Sequence, residues 1–353
     1  MALQSASFFI IAARLVLGAA LLVPVFVSGE ELVAQPAPPV QEFVGPPAPT
    51  VEEFMGPPAP TLTTEVMHEM DTQRDYVSGK FVDFVSSVDR FFGDDRHYQE
   101  ANDSVLQIDV TRVMGFGGSH QFAWSGRAKV HLPNVEQKVH FVLETDPDKD
   151  ASVNPKQTQS PPLAQPASPS SYAAALRYEK AQAEQWHFSA DGGLKFQGVH
   201  PTPFARARAN FIVPGDVWRM NLAETPFWFN TIGLGETTQL DLERPISDPV
   251  LFRSTSIATW LRDTHNFDMR QDLTLFHKLD ERRALMYQAS AIGVTHPQTQ
   301  VTEYVVLALY RYRLHKEWMF LEVSPQLHFP KALNFRTNAA LSVRLEMLFD
   351  KSK

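Results

Sequence analysis

From about residue 104 to residue 349 the chain alternates apolar and polar residues with a period of two. Neighbouring side chains on a strand point to opposite faces, so strict alternation means strands with one apolar and one polar side. Phe122, Trp124, Ala128, Val130 and Leu132 share one parity, while Ser125, Arg127, Lys129 and His131 share the other. The same rule separates Trp186, Phe188, Ala190 and Leu194 from His187, Ser189, Asp191 and Lys195. It separates Leu341, Val343, Leu345 and Met347 from Ser342, Arg344 and Glu346. Gly117-Gly118, Pro133-Asn134, Pro214-Gly215-Asp216, Asp280-Glu281, His296-Pro297 and Pro330 mark turns between segments. The pattern predicts about 12–14 antiparallel strands of roughly 10–14 residues, longer than the ~5–6 usual in soluble proteins and enough to cross a bilayer at a tilt.

Two architectures use such strands. A soluble sandwich buries the apolar face between sheets; a transmembrane barrel turns it to lipid and keeps the polar face for the lumen. Charges in mid-strand favour the barrel. So do aromatic residues near strand ends, where an interfacial girdle belongs: Phe227, Trp228, Phe229, Tyr304, Tyr310, Tyr312, Trp318, Phe320 and Phe329. The expected fold class is therefore all-β, an antiparallel transmembrane barrel over 104–349. Residues 146–171 form its longest, aperiodic loop.

The leader has a different character. Residues 1–29 carry one charge, Arg14, before the apolar run Leu15–Val27, and Val27-Ser28-Gly29 supplies small residues at a cleavage position. This reads as a secretory signal peptide, with an uncleaved anchor as the alternative. Residues 30–65 hold two 11-residue repeats, each ending Gly-Pro-Pro-Ala-Pro-Thr (45–50 and 56–61), and read as a Pro-rich, polyproline-like disordered tether. Within 66–99, Tyr76, Val77, Phe81, Phe84, Val85, Val88, Phe91 and Phe92 recur at helical spacing, predicting an amphipathic helix with an aromatic face. It could pack on its own domain, lie in a membrane interface or plug the barrel.

The last alternating strand closes on Phe349 and resembles the C-terminal signal of bacterial outer-membrane β-barrels, although Asp350-Lys351-Ser352-Lys353 follows the aromatic residue. Arg90–Asp94, Leu132-Pro133 and Trp318 through Glu346 resemble exported proteins of Gram-negative bacteria. The resemblance implies an outer-membrane location and contact with lipid and lipopolysaccharide. It also implies recognition by the barrel-assembly machinery through the strand ending at Phe349. With an even strand number both barrel ends face the periplasm, placing the N-terminal extension there. A periplasmic partner for the Pro-rich repeats is a further expectation.

The polar parity supplies the candidate site: Arg206, Arg208, Arg219, Asp241, Glu243, Arg270, Asp272, Arg311, Glu322, Arg344 and Glu346. Buried charges must pair, so these residues predict either a rigidifying ion network or a polar passage of both signs. The expected function is non-enzymatic, structural or passive-permeation. One catalytic alternative stands beside it. His187-Phe188-Ser189 has the His-x-Ser spacing of outer-membrane lipid hydrolases, whose serine is followed by Asn-Gly; here Ala190-Asp191 follows, and the pair shares luminal parity. The other alternative is a soluble periplasmic β-rich binding protein.

Composition closes several routes. The chain has no Cys, which excludes disulfides, thiolate metal sites and a Cys nucleophile. Its net charge of −8 argues against nucleic acid as partner. Its His residues lack metal-ligand spacing, so neither metal nor cofactor is expected.

Overall fold

The computed structural model describes residues 84, 87, 88, 91 and 92 and, between 104 and 350, all but 116–120, 132–137, 149–168, 184, 185, 216, 316 and 317. The predicted signal peptide, the tether and the rest of 66–99 lie outside the described residues.

Fourteen strands follow one another: β1 Val105–Met114, β2 Gln121–His131, β3 Val139–Thr145, β4 Tyr172–Ala183, β5 Trp186–Gln197, β6 His200–Pro214 and β7 Arg219–Phe229. Then come β8 Gly233–Ser247, β9 Val250–Leu261, β10 Asn266–Lys278, β11 Arg283–Val294, β12 Gln300–His315, β13 Met319–Pro330 and β14 Asn338–Asp350. Each pairs antiparallel with the next, and β14 pairs with β1, from Val105 opposite Asp350 to Met114 opposite Leu341. Closure satisfies the backbone between strands and leaves no open edge, a requirement for a sheet surrounded by lipid. The strand count is the upper end of the expected range. Lengths run from 7 residues in β3 to 16 in β12, a wider spread than expected.

Register follows from the polarity of the two faces. In β13, Phe320, Glu322, Ser324, Gln326 and His328 are buried and face the lumen, while Leu327 is exposed on the outside. Glu322 stands opposite Arg311 on β12 and Arg344 on β14. A slip of one residue would turn every charge in the strand toward lipid. The outer surface is apolar: Phe122 is 66% exposed and Leu176 55%, with Trp124, Trp186, Trp228, Tyr287, Tyr304 and Phe349 also open. This overturns the soluble sandwich alternative, because here the apolar face is the outside of a single closed sheet.

Three of the residues assigned to the aromatic girdle are not in it. Phe227, Phe229 and Phe320 are buried and point into the lumen. Phe227 lies over Gly235, its register partner on β8; a Cβ at Gly235 would collide with the Phe227 ring. Phe229 stacks on Phe204 at 5.2 Å between ring centroids. Trp228, Tyr304 and Tyr310 do face outward.

The five described positions of the aromatic segment are helical where a state is given. Phe84, Ser87, Val88, Phe91 and Phe92 are spaced to share one helix face, and that face lies inside the barrel. Val88 is buried among Leu251, Phe276, Met286, Ile292, Val305, Leu307 and Leu309. Phe91 packs with Ala284 and Phe320, its ring edge-on to Phe320 at 5.9 Å. An eight-stranded barrel is filled by its own side chains, whereas larger barrels enclose spare volume. Here a helix takes up part of that volume.

Candidate functional site

The lumen contains the ionisable side chains that the alternation put on the polar face. They gather into separate clusters, each built across neighbouring strands.

The first cluster spans β12, β13 and β14. Arg311 donates to Glu322, and its Nη2 donates to Glu346 Oε1 at 2.6 Å. Arg344 Nε donates to Glu322 Oε2 at 2.7 Å, and its Nη2 lies 3.2 Å from Glu346 Oε2. Two guanidinium groups thus share two carboxylates, with Arg311 and Glu346 at 0% exposure. The Arg311 guanidinium also sits 4.1 Å from the centroid of the Phe320 ring. On β1, Asp109 stands opposite Glu346 and accepts from Gln107 and Ser125.

The second cluster crosses β2 to β6. Arg177 grips Asp191 with two bonds of 2.7 and 2.8 Å, the forked geometry that gives Arg–carboxylate pairs their strength. Arg206 donates to the same Asp191 at 2.7 Å, to Glu144 at 3.0 Å and to the Pro147 carbonyl at 3.3 Å. Lys129 pairs with Glu179 at 2.6 Å, and His140 Nε2 lies 3.5 Å from the same carboxylate. Lys195 pairs with Asp148 at 2.6 Å. The start of the long loop therefore turns into the mouth of the barrel. Arg208 Nε donates to Asn210 within β6.

The third group lies on β7 to β10. Glu243 is between Arg219, at 3.7 Å, and Arg253, at 2.8 Å, its register partners on either side. Asp241 accepts from Thr255 at 2.6 Å and Gln239 at 3.0 Å. Arg270 pairs with Asp272 two residues on at 2.6 Å.

All eleven candidate residues are thus on the luminal face, but in distinct groups rather than one site. Arg206 and Arg208 each have an acceptor within the barrel, and Arg219 is ion-paired with Glu243 at 3.7 Å. The alternation had put Lys129 and Asp191 on the polar face without making them site candidates, and it missed Arg177, Glu179 and Arg253. Counting in twos from Asp191 or Arg206 through the paired strands reaches every one of them. His187 and Ser189 share the luminal face with Asp191, on the opposite side of the sheet from the surface a membrane lipid would meet. Among the described residues, no cluster of His, Asp and Glu has a metal-binding arrangement.

Sequence reasoning also missed a polar island on the outer face. Thr238 Oγ1 donates to Glu224 Oε2 at 2.7 Å across β7 and β8. Ser256 donates to Gln271 at 2.5 Å, and Gln271 donates to Ser254 at 2.9 Å, across β9 and β10. These residues have the parity of the outward-facing Trp228 and Leu273. Their departure from the alternation was the available signal.

A closed antiparallel barrel with an apolar outside and an ionic inside is of the outer-membrane β-barrel class. No protein-family model matches the chain, and no curated protein matches its sequence. Solved structures that align with it include a bacterial polysaccharide outer membrane secretin, at 10% identity and TM-score 0.42, covering 71% of this chain and 99% of that one. Pseudomonas putida OprB aligns at 9% identity and TM-score 0.44 over 70% of this chain and 93% of its own. The outer membrane channel DcaP of Acinetobacter baumannii aligns at 9% and 0.41 over 70% and 96%. At these values the likeness bears on neither solute nor role.

Proposed function

We propose that this chain is a non-enzymatic outer-membrane barrel of Gram-negative bacteria whose lumen is occluded at rest. The observation that carries the reading is the burial of luminal charge. Lys129, Asp241, Glu243, Arg311 and Glu346 all have 0% exposure, and Arg270, Asp272 and Glu322 no more than 3%. Side chains lining a water-filled passage would be hydrated; these are enclosed and paired with one another. The resting role is structural: a membrane-spanning body carrying an N-terminal extension on the side where both barrel ends lie. That side is the periplasm if assembly follows the usual rule for even-stranded barrels.

Phe349, outward-facing and stacked on Trp318 at 5.4 Å, would present the closing strand to the assembly machinery. The apolar belt would contact lipid and lipopolysaccharide acyl chains. Residues 30–65 would reach a periplasmic partner.

Passive permeation is the second reading, favoured by one observation: the lumen is filled partly by a helix that is not a barrel strand. Outer-membrane extracts analysed by heat-modifiable gel migration test the barrel. Protein recovered only in the soluble periplasm would end the proposal. Planar-bilayer recording tests the occlusion. The wild-type protein is expected to show no steady current, and a stable open channel would contradict the occluded state.

A further inference from the structure

We propose that the helix carrying Phe84, Ser87, Val88, Phe91 and Phe92 is a displaceable plug, and that its withdrawal turns the closed barrel into a passage. This rests on the reading of the chain as an outer-membrane barrel and deepens it by naming what shuts the lumen.

Four observations converge. The barrel is complete without the helix: every strand has two strand partners, and β14 closes on β1. The charge clusters are satisfied by the wall itself, for Arg311 and Arg344 find their carboxylates on β13 and β14, and Arg177 and Arg206 find theirs on β3 and β5. The helix instead meets an apolar strip of β9 to β12, formed by Leu251, Phe276, Met286, Ile292, Val305, Leu307 and Leu309. Its contacts are side chain to side chain: Val88 in the strip, Phe92 tilted on Phe276 at 4.9 Å, Phe91 against Phe320, and Ser87 accepting from Lys278 Nζ at 3.2 Å. The guanidinium groups of Arg311 and Arg313 lie 6.0 and 5.6 Å from the Phe91 ring centroid.

The fourth observation is connection. Phe276, Lys278, Ala284, Arg313 and Phe320 lie at the barrel end where β1 begins and β14 finishes. Residues 93–104 join the helix to β1 at that same end, and at full extension they reach roughly 40 Å. The helix can therefore leave through the near mouth while remaining attached. Its departure would expose the apolar strip on one side and Arg311 and Arg313 on the other.

The full-length protein, purified from membranes, provides the test. Val88→Asp combined with Phe91→Asp places two carboxylates in the strip and should shift planar-bilayer recordings from closed to steady conductance, with heat-modifiable migration retained. Separately, Ser87→Cys with Lys278→Cys introduces the only thiols in the chain. A short bis-maleimide should link them within one chain and hold the lumen closed. Failure of the link to form would remove the helix from the lumen and overturn the proposal. A linked pair together with a V88D/F91D protein that still migrates as a barrel yet never conducts would make the helix a mere filler, and overturn it equally. If the double Asp variant no longer migrates as a barrel, the helix is a fixed part of the fold and is not displaceable. A wild-type protein without heat-modifiable migration would instead sink the barrel reading itself.

Discussion

The two sides of the lumen solve the problem of burial differently. Along β12, β13, β14 and β1 the wall is ionic, and each charge is answered by a residue on the adjacent strand. On β9 to β12 the luminal charges of Arg253, Arg270 and Asp272 leave room for an apolar strip of Leu251, Phe276, Met286, Val305, Leu307 and Leu309, and the helix packs on that strip. Strand β12 belongs to both, carrying Val305, Leu307 and Leu309 and then Arg311 on one luminal row. The difference teaches that charge can be settled inside a barrel wall, because register brings partners together two by two. Apolar surface in an interior this wide needs something placed on top of it.

The contrast can be broken most severely on the ionic side. Glu322→Ala leaves Arg311 and Arg344 with one carboxylate between them. The expected loss is about 3–5 kcal/mol, the cost of removing one partner from a buried pair, measured by urea unfolding of the barrel in lipid vesicles. A loss below about 1 kcal/mol, the range of exposed pairs, would mean that the cluster is solvated. Gly235→Val tests the aromatic side of the lumen, where the new side chain must displace Phe227. A destabilisation of about 1–3 kcal/mol is expected from overpacking, with Gly235→Ala intermediate in the same assay. On the outer face, Glu224→Leu replaces a carboxylate among lipid-facing residues. It should stabilise the barrel by about 1 kcal/mol, since acidic residues facing lipid cost less than the ~2–4 of cations; a destabilised variant would assign the island a structural task. Phe91→Ala should leave the barrel's own unfolding midpoint within about 0.5 kcal/mol while making the helix more sensitive to protease. Coupled loss of both would merge the two sides into one cooperative unit.

The smallest effect concerns pH. Asp280, in the turn between β10 and β11, accepts the backbone N–H groups of Arg282 and Arg283 and the Arg283 side chain. The first of these, with the Arg283 hydrogen bond behind it, holds its carboxyl below the usual carboxylate range. Ionised Asp280 therefore favours the folded hairpin at all pH values above that range, and the benefit fades as acid protonates it through the lowered value. Asp280→Asn should flatten that acid limb of the unfolding-midpoint profile and slightly lower the neutral plateau, where the ionised carboxylate contributes.

How far the sequence spoke depended on contrast between faces. Where polarity alternates sharply, as in β14 with Ser342, Arg344 and Glu346 against Leu341, Val343 and Leu345, the strand and its inward side were both legible. In β4, Ala173, Ala174 and Ala175 fall on both faces, so Arg177 and Glu179 had no pattern to declare them. In β9, Ser254, Ser256 and Ala258 face outward while Leu251 and Ile257 face inward, reversing the rule and hiding Arg253. Phe227 and Phe229 were misplaced because aromatic character suits a membrane interface and a packed lumen alike. Their shared parity with Arg219 and Asn221 was the better guide. The helix was legible as amphipathic, but an apolar stripe states only that it wants cover. Which surface supplies that cover depends on residues more than 150 positions away, such as Lys278 and Phe320.

One small motif has a practical reach. A single oxygen, Asp146 Oδ1, accepts the backbone N–H and the hydroxyl of both Ser170 and Ser171, at 2.9 to 3.0 Å. The two ends of the longest connection are thus clasped at the sheet before residues 149–168 begin. Lengthening a connection whose ends are already fixed costs little, about 0.6 kcal/mol for each doubling. Foreign peptides spliced into residues 149–168 should therefore leave assembly of the barrel undisturbed as long as Asp146 is kept, which heat-modifiable migration of the insertion variants would check.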